Sequence, residues 1–273
     1  MVPILKSTRK LTLMIVLITS VLMGCEEKKS TELAPPEIIT ETAPPEALIV
    51  DSKALELLQR GLDYLSNLDQ FSVKTQSTYE DVLNGKYRVD YETTSSLMVD
   101  RPDKMRVERY GLNMNHILTY DGSSITQHNP DDNVYDTEPV PGNIEEMFHY
   151  IRDTFAISGP STDLIYKNSY ALLSEDVNAA SVIGKELIGD IMCDHLLFSR
   201  NDGVSFQIWI SENEPYLPYK YVVTDTSTPQ LLSYSTILGS WNTAPKVSDA
   251  MFKFTPGKDS KKTTLLRTDQ NVQ

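Results

Sequence analysis

From residue 71 onward the chain places its less polar side chains at every second position, and a period of two dictates a sheet. Phe71, Val73, Thr75, Ser77 and Tyr79 alternate with more polar residues, Asn84-Gly85 supplies a hairpin turn, and Tyr87, Val89 and Tyr91 resume the alternation. Successive side chains of a strand point to opposite faces, so this pattern can bury one face only in extended form. Further strands are expected at 104–110, 114–120, 124–127 and 134–136, divided by Asp121-Gly122 and Asn129-Pro130-Asp131-Asp132-Asn133. Strands return at 181–188, 191–198, 204–210, 218–224, 230–240 and 251–254.

Two interruptions have the helical period instead. Before the first strand, Asp51 or Ser52 can cap a helix whose Ala54, Leu57, Leu58, Leu62 and Leu65 share one face. After Pro139-Val140-Pro141-Gly142, Asn143 and Glu146 have the spacing of a capping box, with Ile144, Met147, Phe148, Ile151 and Phe155 as the apolar stripe. A second helical segment is expected at 162–173. Helices segregated from long antiparallel runs imply an α+β fold, with helices covering one face of the sheet. A sheet of about eleven strands curls or closes. Residues 47–258 make one domain, and 259–273 are expected to be a disordered tail.

The N-terminal stretch carries an address. Lys6, Arg9 and Lys10 precede an uncharged run from Leu11 to Met23, about thirteen residues against the roughly twenty a spanning helix needs. The run ends in Leu22-Met23-Gly24-Cys25, which resembles the lipobox of bacterial lipoproteins. That resemblance implies a signal peptide over 1–24, cleavage after Gly24, and diacylglycerol and fatty acyl groups such as palmitate on Cys25. Two or more chains anchor a protein stably. Glu26, rather than Asp, favours the outer membrane over the inner one. From 25 to 46 the chain is charged and proline-rich, with Ala34-Pro35-Pro36-Glu37 repeated as Ala43-Pro44-Pro45-Glu46, and reads as a flexible tether. At about 3.1 Å per residue it could hold the domain roughly 60 Å from the membrane.

Charge and scarce cysteines narrow the function classes. Cleavage would remove three basic residues and no acid, deepening a formal net charge of −13 that already disfavours nucleic acid and anionic headgroups. With Cys25 lipidated, Cys193 has no disulfide partner and reads as a small buried residue. The acidic loop of Asp131, Asp132, Asn133, Asp136 and Glu138 lacks the glycine and spacing of a calcium loop and reads as a solvated turn. His116, His128, His149 and His195 are scattered, with no His-Glu-x-x-His pair or Gly-x-Ser-x-Gly elbow. No metal, cofactor or catalytic residue is expected, and the chain reads as a binding protein rather than an enzyme.

Arg101-Pro102-Asp103-Lys104-Met105-Arg106, Tyr120-Asp121-Gly122, Asn129-Pro130-Asp131-Asp132-Asn133-Val134-Tyr135 and the closing Met251-Phe252-Lys253-Phe254-Thr255-Pro256-Gly257 resemble successive landmarks of the periplasmic lipoprotein carriers LolA and LolB. Over roughly residues 52–257 the nearer resemblance is to the predicted periplasmic proteins grouped as domain of unknown function 2092, which share a Cys-x-His-Leu stretch like Cys193-Asp194-His195-Leu196. Trp209 and Trp241 also fall where such sequences place tryptophan. The resemblance implies an unclosed β-barrel with helices over one opening, a greasy concave face that accepts acyl chains, and an arginine, here Arg101, that fastens the helical lid. Candidates for that lining are Phe71, Val73, Tyr79, Tyr87, Val89, Tyr91, Met105, Val107, Ile117, Phe206 and Ile208. Two readings of function stay open at this point. One is a membrane-anchored module that binds an acyl chain or lipoprotein. The other is a module that meets an envelope protein or senses the envelope on the same scaffold with a filled interior.

Overall fold

The computed structural model describes residues 49–155, 159 and 161–264. Cys25, Gly24, the signal segment and the tether lie outside the described residues. Among the described residues no helix is long and apolar enough to cross a membrane.

Helix α1 (Ser52–Asn67) is capped by Asp51, whose side chain accepts from the Lys53 amide, and it buries the expected stripe of Ala54, Leu57, Leu58, Leu62 and Leu65. Gly61 belongs to the same face, and a Cβ there would sit 2.8 Å from Ile210, so glycine lets the helix lie close on the sheet. Six strands follow: β1 (Gln70–Leu83), β2 (Tyr87–Asp100), β3 (Lys104–Gly111), β4 (Met114–Tyr120), β5 (Ser124–Asn129) and β6 (Val134–Pro139). Helix α2 (Ile144–Phe155) opens with a reciprocal capping box in which the Asn143 amide donates to Glu146 Oε2 and the Glu146 amide to Asn143 Oδ1, both at 2.8 Å.

The helix expected at 162–173 is broken. A 3-10 turn at Thr162–Leu164 precedes helix α3 (Ser169–Ser174), and the buried residues are Leu164, Ile165, Ser169 and Leu173. The sheet then resumes with β7 (Val177–Ile188), β8 (Ile191–Arg200), β9 (Val204–Ser211), β10 (Pro218–Asp225) and β11 (Ser233–Asn242). Residues 251–254, expected as a strand, instead lie in and after a 3-10 turn at Asp249–Phe252. Phe252 is buried, while Phe254 packs on the rings of His128 and Tyr135, so this segment is held by side chains rather than by pairing. Part of the expected disordered tail is ordered: Lys261–Lys262 form β12, parallel to β6, with Ser260 Oγ donating to Asn133 Oδ1.

The strand order is β12-β6-β5-β4-β3-β2-β1-β11-β10-β9-β8-β7, two antiparallel meanders joined where β1 pairs with β11. Strands β12 and β7 are the free ends, so the sheet curls without closing. This is the unclosed barrel that the resemblance implied, antiparallel except for β12 and built from twelve strands. Its two halves are covered differently. Helix α1 lies on β7 to β9 and fills that half with Leu196, Phe198, Phe206, Ile208 and Ile210. The other half, β1 to β5 with β11, faces α2 and the segment around the 3-10 turn.

Candidate functional site

Between α2 and the second half of the sheet lies a cavity of about 920 Å³, within the size range of small-molecule sites. Its walls follow from strand register, because residues paired across an antiparallel sheet share a face. The deepest row is Phe71, Val99, Met105, Tyr120 and Ile125, all fully or nearly fully buried, of which Phe71, Met105 and Ile125 line the cavity. The next row outward is Val73, Leu97, Val107, Leu118 and Gln127. A third row reads Leu238, Thr75, Ser95, Arg109 and His116, and a fourth Thr236, Ser77, Thr93, Gly111 and Met114. The wall thus grades from hydrocarbon at the floor to hydroxyl and charge near the mouth. Phe148, Ile151 and Phe155 of α2, with Leu164 and Ile165 beyond it, close the apolar end.

Trp241 completes the floor. Ser240 takes a left-handed φ of 52°, and Trp241 reaches the cavity, where its ring stands 5.9 Å from that of Phe71 while its indole N–H donates to the Pro218 carbonyl. The polar rows are partly bound among themselves. Ser77 Oγ lies 2.8 Å from the Tyr234 hydroxyl and donates to Thr236 Oγ1, and the Gln127 amide lies 3.2 Å from His116 Nδ1.

Of the residues read from the sequence as lining, Phe71, Val73, Met105 and Val107 face this cavity. Tyr79, Tyr91, Val89 and Tyr87 continue the same face in register, Tyr79 opposite Tyr91 and Leu83 opposite Tyr87, but on a hairpin that runs past the mouth. Tyr79 and Tyr87 are accordingly 52% and 55% exposed. Ile117 alternates with His116 and Leu118 and so points away from the hollow. Phe206 and Ile208 are buried in the half that α1 fills. Leu97, Leu118, Leu238 and Trp241 were missed as lining residues, whereas the roof of α2 stands where a covering helix was expected. For Leu97, Leu118 and Leu238 the period-two rule continued along β2, β4 and β11 would have found them.

Arg101 joins three segments. Its Nε donates to the Leu68 carbonyl at 3.1 Å, Nη2 donates to the Ile165 carbonyl at 2.5 Å, and Nη1 stands 3.7 Å from Glu145 on α2. Burial lowers its pKa, with Glu145 and Asp69 opposing that effect. Nearby, the Tyr120 hydroxyl donates to the carbonyls of Val140 and Gly142, tying β4 to the turn before α2, and burial pushes its pKa up to about 12. On the other side of the lid the Tyr221 hydroxyl donates to Asp163 Oδ2 at 2.6 Å.

In the Cys-x-His-Leu stretch, Cys193 and His195 belong to the opposite face of the sheet, while Leu196 lies in the core under α1. His195 stacks on Trp209 at 4.0 Å and is bonded to Glu186 Oε1 through Nδ1 and to Gln207 Oε1 through Nε2. Cys193 is buried, which pushes its thiol up to about 11. Among the described residues no group of three or more His, Cys, Asp or Glu stands together to hold a metal.

The chain is similar in architecture to several solved proteins at low identity. An uncharacterized conserved protein from Thermus thermophilus matches at 11% identity over 77% of this chain and 98% of its own, with a TM-score of 0.45. The lipoprotein LppX of Mycobacterium tuberculosis matches at 15% over 72% and 100%, with a TM-score of 0.40. A LolA superfamily protein from Nitrosomonas europaea matches at 11% over 74% and 97%, with a TM-score of 0.34. No curated protein matches the chain. The profile of the family described as "Predicted periplasmic protein (DUF2092)" matches residues 54–266, a span that takes in every strand of the sheet, and the chain belongs to that family.

Proposed function

We propose that this protein is a lipid-anchored periplasmic binding protein that takes an acyl chain, free or carried by a lipoprotein, into the hollow between α2 and the sheet. The observation that carries the reading is the cavity of about 920 Å³ with a floor of Phe71, Val73, Leu97, Met105 and Val107 and a roof of α2. Apolar surface left unfilled within a folded domain forgoes dispersion contacts, and an apolar guest restores them. The same unfilled space disfavours the alternative reading, an envelope-sensing or protein-docking module with a solid interior. The reading assigns no catalysis.

Organic extraction of the purified full chain, followed by mass spectrometry, tests the binding. Released lipid in near-stoichiometric amount supports it, since covalently attached acyl groups stay with the protein. Repeated preparations that release none, together with no uptake of a neutral apolar dye, would sink it. Anchoring through Cys25 is tested separately. Cys25→Ser is expected to abolish palmitate labelling and to move the chain out of the outer-membrane fraction, and retention there without label would show another anchor.

A further inference from the structure

Among the described residues that line the cavity, Arg109 is the one Lys or Arg, and none is an aspartate or glutamate. The contrast with the rest of the chain is sharp, because acids outnumber Lys and Arg by 38 to 25 overall. Most other arginines near the domain's working parts are matched: Arg101 by Glu145, Arg106 by Glu108, Arg60 by Asp194 and Arg200 by Asp202. Among the described residues Arg109 makes no hydrogen bond or ion pair. It is half-buried on β3, opposite Ser95 on one side and His116 on the other.

The Arg109 guanidinium, without a protein counter-ion and with its nitrogens open to the hollow, is free to pair with a guest, and its planar fork of donors matches a carboxylate or a phosphate. Its position in the wall fixes what else the ligand must have. The row below Arg109 begins the hydrocarbon floor with Val107, whereas its own row and the next outward offer Thr75, Ser95, Ser77 and Thr93 as hydroxyl donors and acceptors. His116, whose Nδ1 lies 3.2 Å from the Gln127 amide nitrogen, adds a second polar side chain on the same rung.

We infer that the hollow selects an amphiphile with an anionic head, its hydrocarbon on the Phe71 and Val73 rows and its carboxylate or phosphate at Arg109. This rests on the binding reading above and names the ligand class of that site. Arg109 is then the residue that sets head-group preference, while the floor sets affinity for the tail.

The test uses the full chain carrying Cys25→Ser, which removes the acyl anchor and so any covalent tail that could enter the hollow. The neutral dye N-phenyl-1-naphthylamine reports on the cavity and is displaced by dodecanoate, dodecyl phosphate or dodecanol, three amphiphiles of equal tail length. Both anions are expected to displace it at about tenfold lower concentration than the alcohol, the size of one charge-assisted hydrogen bond. In Arg109→Gln that ratio falls towards one, whereas Arg109→Lys keeps part of it. Arg106→Gln removes a cation from the other face of the same strand and leaves the ratio unchanged. Equal displacement by all three amphiphiles, or a preference that survives Arg109→Gln, overturns the inference and leaves the apolar site intact. Failure of the dye and of all three amphiphiles to bind overturns the binding reading itself. A preference for one anion over the other decides between a carboxylate and a phosphate head.

Discussion

Arg101 shows how much of the lid hangs on one side chain. Replacing it by methionine removes donors from the Leu68 and Ile165 carbonyls and the partner of Glu145, and the expected loss is about 2–4 kcal/mol of unfolding free energy, read from urea denaturation. A loss below about 0.5 kcal/mol would mean that the lid is held by other contacts. Resemblance alone pointed to Arg101 in the sequence, since a single arginine before a proline has no period to betray it. Asp163 could not be found that way, because its partner Tyr221 is 58 residues further along the chain. Burial raises the Asp163 pKa above its ordinary 3.8, outweighing the hydrogen bonds that lower it. The folded state therefore holds this proton more tightly than the unfolded chain. Stability from the protonated form is fully present below pH 3.8 and is lost as pH rises through the folded-state value. Asp163→Asn removes that loss, so the stability of the variant relative to the native chain should improve with rising pH above 3.8 and be level below it. A difference independent of pH would contradict the assigned titration.

The elements with a strong period were legible and those without one were not. Helices α1 and α2 were readable down to their caps and buried stripes, because Asp51 and the Asn143/Glu146 pair sit at the positions where orphan amides need acceptors. Strand β12 was invisible, since two exposed lysines carry no alternation and their pairing depends on the loop at Asn133. The β1–β2 hairpin lies between these cases. Alternation assigned Phe71 and Tyr79 to one face correctly, yet nothing in the pattern marks where the hairpin leaves the body of the domain. Solvent makes that distinction, and two substitutions measure it. Phe71→Ala, at the floor beside Trp241, should cost about 3–5 kcal/mol, whereas Tyr79→Ser, eight residues along the same face, should stay within about 1 kcal/mol of the native chain. Comparable losses at both sites, in thermal or urea unfolding, would place the hairpin tip against something the isolated domain already contains.

At the scale of the molecule, one curved sheet is used in two ways, and the sequence distinguishes them poorly. Phe206 and Val107 look alike as inward residues of alternating strands, but α1 lies over the first and packs it into solid core, while α2 stands off from the second and leaves space. Which half stays hollow depends on how far each helix reaches over the sheet, a property of packing rather than of any local period. Val107→Trp turns the difference into a measurement. An indole forced into a close-packed interior costs about 1–3 kcal/mol through strained rotamers and displaced neighbours. In the cavity it would meet open volume beside Leu97 and Leu118, so stability should change by less than about 1 kcal/mol while extractable lipid and dye uptake fall together. The same enlargement at Ile208, under α1, should destabilise the domain by the full overpacking cost. If Val107→Trp were as destabilising as the Ile208 change, the second half of the sheet would be core like the first, and the protein would have no interior in which to carry a guest.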